Sequence, residues 1–367
     1  MAFMKSKGFD VLMVSANGPE LEKVIEREDC AHVVIPFTRR ITPVKDFVCL
    51  LQLIQLIKKE KPDVVHSHTP KAGLLAMLAA KFSRVPVKLH TVAGLPLMTA
   101  VGFKKRLLTW IEKLTSWAAD KVLVNSHSLK DYIINHDLCR IEKLDIIGKG
   151  STNGIDLKRF SKSELDHQKL KEIKDSITYD PECRYILSVG RIVKDKGIEE
   201  LMNGFQSLTK EYQKLKLILI GPLEEIRSEE QLSSKTLSYI KNDDSVLHIP
   251  WSEEVEYYFH IANVFVQASH REGFPNVTLQ AGAMNCPIVC SDIPGNIDIV
   301  TDGKTGLHFN VARVDSLTEK IRVALEDSEL MDSMAQTLRR EIEQKFDRKL
   351  IHGQIFEFYS NQIEQLS

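Results

Sequence analysis

The segment Glu272-Gly273-Phe274-Pro275-Asn276-Val277-Thr278-Leu279-Gln280 sets a carboxylate, a glycine, a proline and, further on, an amide between two apolar runs. The runs end near Ser269 and resume over Pro287 to Cys290, so the segment reads as the handover from a strand to a helix. Pro275 suits a first helical position, which leaves the amides of Asn276 and Val277 facing an anion with Glu272 in the loop before them. A carboxylate beside a bound phosphate is costly unless hydroxyls donate to it, so this chemistry fits a phosphate and a sugar together. Taken alone, Glu272 would serve equally well as a helix cap.

A second set precedes it. Ser188-Val189-Gly190-Arg191 closes a strand and Lys194-Asp195-Lys196-Gly197 opens a helix, so Arg191 and Lys196 place two cations where helix amides already favour an anion. The pattern fits a diphosphate, or a charged surface turn. Gly221-Pro222 and His248-Ile249-Pro250-Trp251 end the next two strands, where nucleotide bases are held outside parallel sheets. Trp251 by default is a core or interface indole.

In the first half, His66-Ser67-His68-Thr69-Pro70-Lys71 follows one strand and His90-Thr91-Val92-Ala93-Gly94-Leu95-Pro96 the next. Two histidines two positions apart raise the question of metal. No carboxylate or cysteine accompanies them, which favours one structural and one site-facing imidazole. Lys71 and Gly73 open a helix that suits another phosphate. Phe103-Lys104-Lys105-Arg106-Leu107-Leu108-Thr109-Trp110-Ile111 reads as an interfacial helix for an anionic membrane, or as an ordinary half-buried surface helix.

The elements that must position these groups alternate throughout. Strands are expected at Asp10–Ser15, His32–Phe37, Asp63–His68, Val87–Val92, Lys121–Asn125 and Leu144–Ile147, then again at Tyr185–Val189, Leu215–Ile220, Val246–Ile249, Val264–Ala268 and Pro287–Ser291. Helices are expected at Val44–Lys59, Lys71–Phe82, Gly197–Tyr212, Ser228–Lys241, Leu317–Lys345 and Arg348–Gln362. The βα alternation that runs, stops and restarts predicts two doubly wound α/β domains, 1–160 and 161–347, with the charged segment Ser161–Glu182 as the boundary and helix 348–362 returning to the first. A chain of 367 residues is also long for one core. The front end is unusual: Met1 to Gly8 reads as the tail of a helix capped by glycine, where such a sheet would have an opening strand and a glycine-bearing turn.

The formal charge of −1 hides an asymmetry: about +8 up to Gly150 and about −9 after it. A basic front half suits an anionic partner such as lipid headgroups, a lipid-linked diphosphate or nucleic acid, or is simply a solvated face. The six cysteines lack paired spacing and fit a reducing cytosol. No apolar run is long enough to cross a bilayer and the first residues lack a signal-peptide layout, so any membrane association is expected to be peripheral.

Taken together, Gly190-Arg191 with Lys194, Lys196 and Gly197, the Glu272–Gln280 segment with Pro287-Ile288-Val289, Asp292 and Gly295, the Gly303–Gly306 turn, and Asn153-Gly154-Ile155-Asp156 with Phe160 resemble the retaining glycosyltransferases of the GT-B fold, family four. His66 to Gly73 and Gly94-Leu95-Pro96 look like the bacterial branch that builds capsules, O-antigens and glycans on lipid carriers. The resemblance implies a catalytic set of Glu272, Arg191 and Lys196. It implies a donor site of Gly190, Arg191, Lys196, Pro250, Glu272, Phe274, Pro275, Asn276, Val277 and Gln280, and an acceptor side of His68, Lys71, Thr91 and Gly94. The implied function is metal-independent, cofactor-free transfer of a sugar from a nucleotide sugar, expected to be a UDP-sugar, to a polyprenyl-diphosphate-linked saccharide, at the cytoplasmic face of an anionic membrane and without nucleic acid. The alternatives are a non-catalytic nucleotide-sugar-binding relative and a sugar-nucleotide epimerase on the same fold. Three departures stand out: Gln280 where the family has a second glutamate for the ribose diol, the absent front strand with its loop, and Ala93 where many relatives carry a larger polar residue.

Overall fold

The computed structural model describes every residue except 19, 39–41, 225–229 and 366–367. The chain forms two compact units, Met1–Thr152 with Lys349–Ser367, and Asn153–Arg348.

The first unit runs α1 (Ala2–Ser6), β1 (Leu12–Ser15), α2 (Leu21–Glu28), β2 (Ala31–Val34), α3 (Pro43–Glu60), β3 (Val64–Ser67), α4 (Pro70–Phe82), β4 (Val87–Val92), α5 (Gly102–Ala118), β5 (Lys121–Val124), α6 (His127–Asn135) and β6 (Leu144–Asp145). All its pairings are parallel, yet they fall into two sheets, β1-β2 and β3-β4-β5-β6. Val14, Val33 and Val65 nevertheless pack on one core with Cys49, Leu53 and Leu75. Among the described residues nothing pairs with β1 opposite β2, or with β3 opposite β4. The apolar residues of β1 are accordingly only half-buried, whereas β4, paired on both sides, is nearly all buried. The expected helix tail at the start is α1, with Gly8 at φ +90°.

The second unit contains α7 (His167–Ser176), β7 (Arg184–Val189), α8 (Ile198–Leu208), β8 (Leu215–Ile220), α9 (Ser234–Asn242), β9 (Val246–Ile249), α10 (Val255–Ile261), β10 (Val264–Gln267), α11 (Asn276–Ala283), β11 (Ile288–Ser291), β12 (Leu307–Phe309), α12 (Val314–Glu326) and α13 (Ser328–Lys345). Its parallel sheet has the order β12-β11-β10-β7-β8-β9. Strands added after β7 go first to one side, as β8 and β9, and then to the other, as β10 to β12. The order therefore reverses between β7 and β10, and the carboxyl ends of these neighbours form the crevice where open α/β sheets bind ligands. Finally α14 (Arg348–Glu364) carries all but its first residue in the first unit, where Tyr359 lies edge-on to Phe9.

The units divide between Thr152 and Asn153. Ser161–Glu182 belongs wholly to the second unit, because α7 is amphipathic and sends Ile173 into that core, followed by Ile177. The helix expected over Leu317–Lys345 is two helices. Asp327 interrupts it by accepting from the Leu330 amide and capping α13. The predicted start of the helix at Ser228 lies outside the described residues; the observed helix begins at Ser234, capped by Ser233.

Candidate active site

β7 hands over to Gly190-Arg191 and a short 3-10 turn, Lys194–Lys196, before α8 begins. Gly197 joins turn to helix at φ +66°, and a β-carbon there would lie 2.0 Å from the Ala268 carbonyl oxygen. Glycine is thus required both by its left-handed backbone and by close approach to the end of β10.

That approach brings two loops together. Glu272 Oε1 accepts from Lys196 Nζ at 2.5 Å, from Gln267 Nε2 at 2.7 Å and from Ser269 Oγ at 2.7 Å. Two further pairs join the same two segments. Arg271 donates from Nε and Nη2 to Asp195 Oδ2, at 3.0 and 2.7 Å. The His270 amide donates to the Asp195 carbonyl, and its ring meets Glu200 Oε1 at 3.0 Å, which raises the imidazole pKa. Three consecutive residues after β10 are therefore held by three acidic or basic partners after β7. Beneath them Ser291 Oγ donates to the Ser269 carbonyl at 2.6 Å, and Asn296 Nδ2 donates to Ser291. The loop is rigidly supported by buried polar groups.

Among the described residues all three donors to Glu272 converge on Oε1, and nothing donates to Oε2. The carboxylate is therefore fixed in place with one oxygen available to a further donor such as a hydroxyl. Pro275 is the residue before α11, one position earlier than expected, because its ψ of 107° is extended and the helical backbone starts at Asn276. The amides of Asn276 and Val277 still open the helix without a backbone acceptor among the described residues, as a first turn leaves them. The Phe274 ring is buried against Phe346, with centroids 5.3 Å apart, so only its backbone is available to a ligand. Gln280 lies half-buried one turn further along α11.

Arg191 stands apart from the Lys196 cluster, its Nη1 donating to Glu230 Oε2 at 2.6 Å. Gly190 has φ +148° at the end of β7. Pro250 is exposed just after β9, and Trp251 is 72 % exposed, so it is not a core indole.

In the first unit, His68, Lys71, Thr91 and Gly94 follow or end β3 and β4 at the sheet's carboxyl edge. His66 ring nitrogens meet Thr91 Oγ1 at 2.7 Å and the Tyr359 hydroxyl, and burial holds its pKa well below the ordinary value. His68 is exposed and lies over His66, with ring centroids 4.1 Å apart. Lys71 is committed to Asp46 at 2.5 Å and to Thr38 Oγ1 at 2.6 Å. Among the described residues no group of three or more metal-ligating side chains is found.

Sequence reading missed Gln267, Ser269, Glu230 and the Asp195–Arg271 and Glu200–His270 pairs. Gln267 and Ser269, two apart where the chain leaves a strand, carried a signal: such residues point to one side.

Comparison with known proteins agrees with this layout. A model of glycosyl transferases group 1 matches residues 170–341, and one of the glycosyl transferase 4-like domain matches residues 2–150. A capsular polysaccharide biosynthesis glycosyltransferase, CapM of Staphylococcus aureus, is 36 % identical over 364 residues, covering 99 % of this chain and 93 % of that protein. The chain belongs to this glycosyltransferase family. An Escherichia coli UDP-Gal:alpha-D-GlcNAc-diphosphoundecaprenol alpha-1,3-galactosyltransferase is 23 % identical, over 94 % of this chain and 87 % of the enzyme. Among solved structures, Anabaena HepE in complex with UDP and glucose superposes with a TM-score of 0.80 at 15 % identity, covering 98 % of this chain and 94 % of HepE. WaaG, a glycosyltransferase involved in lipopolysaccharide biosynthesis, gives 0.72 at 14 % identity, covering 96 % and 93 %. The family's GT-B fold, two Rossmann-like units with parallel sheets, is the fold of this glycosyltransferase.

Proposed function

We propose that the chain transfers a sugar, with retention of anomeric configuration, from a UDP-sugar to a saccharide carried on a polyprenyl diphosphate. It would work without a metal, peripherally at the cytoplasmic face of the cell membrane, in the assembly of a capsule or related surface glycan. The observation that carries this reading is the fixed Glu272 carboxylate, pinned by Lys196 beside the open amides of Asn276 and Val277 at the switch point of the second sheet. A nucleoside diphosphate there meets Lys196 and helix amides while its sugar hydroxyls donate to Glu272 Oε2. Arg191 adds a second cation after the same strand. Leaving of the diphosphate develops negative charge, which these preorganised cations and amides stabilise; one diphosphate oxygen then takes the acceptor's proton. In this scheme Pro250 lies near the base, Gln280 near the ribose, and His68, Lys71, Thr91 and Gly94 on the acceptor side.

The S. aureus relative supports capsule assembly, and the E. coli relative supports both a UDP-sugar donor and a diphosphoundecaprenol acceptor. Calorimetry with UDP and with UDP-sugars, beside a turnover assay on a polyprenyl-diphosphate saccharide, tests the reading. Binding with transfer is the expected result. Binding with neither transfer nor hydrolysis would make the chain a nucleotide-sugar-binding relative, and an epimerised donor in the absence of acceptor would make it an epimerase.

A further inference from the structure

Three ion pairs clasp the two segments of the candidate active site: Lys196 with Glu272, Asp195 with Arg271 and Glu200 with His270. Among these side-chain types only an imidazole ordinarily changes charge between pH 5 and 8. The clasp thus contains one link suited to titrate near neutral pH, and it sits two residues before Glu272.

The geometry ties this link to α8. His270 Nε2 lies 3.0 Å from Oε1 of Glu200 in the first turn of that helix, and the His270 amide donates to the Asp195 carbonyl at 2.9 Å. Ring and backbone therefore grip the same segment on both sides of Gly197, whose backbone closely approaches the end of β10. The Glu200 carboxylate in turn depends on the ring, because its Oε2 is buried without a hydrogen-bond partner among the described residues. The charges that face the ring are Glu200 on α8 and Asp195 in the turn before it, both acidic. The cations of the clasp, Lys196 and Arg271, are committed to Glu272 and Asp195.

We propose that His270 is a positioning residue for Glu272: its imidazolium clasps Glu200 and holds the loop that presents Glu272 to the donor sugar, and loss of its proton slackens that hold. The sign follows from the two partners. The hydrogen bond to Glu200 raises the imidazole above its ordinary 6.5, against the effect of burial. Burial works against the Glu200 charge, yet hydrogen bonding to His270 holds that carboxyl below its ordinary 4.5. The contribution of the charged pair is full between 4.5 and 6.5 and is lost as pH rises through the raised imidazole value. The inference rests on the proposed function only in naming a sugar as what Glu272 meets.

NMR titration of the ligand-free full chain tests it, with the His270 signal identified by its loss in His270→Gln. The imidazole should titrate above 6.5 and return toward 6.5 in Glu200→Gln. Hydrogen-exchange protection of the amide at position 270, corrected for the intrinsic rise of exchange with pH, should fall about five- to tenfold across that titration, the scale of one charge-assisted hydrogen bond lost at a partly exposed site. The affinity for UDP-glucose, read by calorimetry, should fall over the same range by a like factor. Both responses should be absent from His270→Gln, with circular dichroism unchanged. An imidazole that titrates at or below 6.5, or the same pH responses persisting in His270→Gln, overturns the proposal. UDP-glucose binding with a flat pH response removes His270 from the positioning of Glu272 and leaves the transferase reading standing. Protection that follows the imidazole while UDP-glucose binds at no pH leaves the clasp standing and counts against a UDP-sugar donor.

Discussion

Lys196 Nζ and Glu272 Oε1 lie 2.5 Å apart, joining the turn after β7 to the loop after β10. This cross-strand pair holds in one place a cation suited to a diphosphate and a carboxylate suited to a sugar. Separate Lys196→Ala and Glu272→Ala substitutions should each lower kcat/KM for sugar transfer by at least about a hundredfold, the scale of removing one preorganised charged contact. Steady-state kinetics on variants with unchanged circular dichroism checks this. Near-native turnover in both variants would remove the pair from the chemistry.

Arg191 and Glu230 form the second pair, and here the carboxylate competes with a nucleotide for the guanidinium. Arg191→Ala should weaken UDP binding by about ten- to a hundredfold, as loss of a charge-assisted contact implies. Glu230→Gln should tighten it instead. Calorimetry on both variants reads the two directions, and weakened binding in Glu230→Gln would make that carboxylate a support for Arg191.

Gly197 has no freedom to change. An alanine there combines a left-handed backbone with a β-carbon only 2.0 Å from the Ala268 carbonyl oxygen. We expect Gly197→Ala to destabilise the chain by at least about 1–2 kcal/mol and to weaken UDP binding, because the two loops must part. Urea denaturation and calorimetry together check both effects.

Glu112, buried on the inner face of α5, gives a pH dependence of defined sign. Burial pushes its carboxyl up to about 7 from an ordinary 4.5, so the folded chain holds a proton that the unfolded chain has released across that window. The stability contributed by the protonated form is full below the unfolded value and is lost as pH rises through the folded one. Glu112→Gln should therefore flatten stability between these limits and exceed the parent at pH 8 by up to about 3 kcal/mol. Urea midpoints measured across the range test it, and parallel profiles for parent and variant would contradict it.

The alternation of apolar runs made the strands legible almost to their ends: Val87–Val92, Leu215–Ile220 and Val246–Ile249 are observed as read. Glu272, Arg191 and Lys196 were legible as candidates because glycine, proline and charge stood at strand ends. Their partners were not, because Glu230 follows β8 and Gln267 lies within β10, and only pairing order brings these near β7. Asp327 concealed a helix break, since a capping aspartate inside a long amphipathic stretch resembles any other surface charge. The division of the first unit's strands into sheets of two and four was not legible, because the alternation of apolar runs says nothing of which strands pair. Trp110 read as part of a basic interfacial helix, but the exposure of Val44, Phe47 and Leu51 on α3 was not legible, because they have the spacing of a core face.

The most direct test of the central claim is the anomeric configuration of the product formed by the purified chain from a UDP-sugar and a polyprenyl-diphosphate saccharide, read by NMR. We predict a new glycosidic bond with the same anomeric configuration as the donor, formed in the presence of a metal chelator and abolished by Glu272→Ala. An inverted linkage, a strict requirement for divalent metal, or transfer undiminished in Glu272→Ala would contradict it.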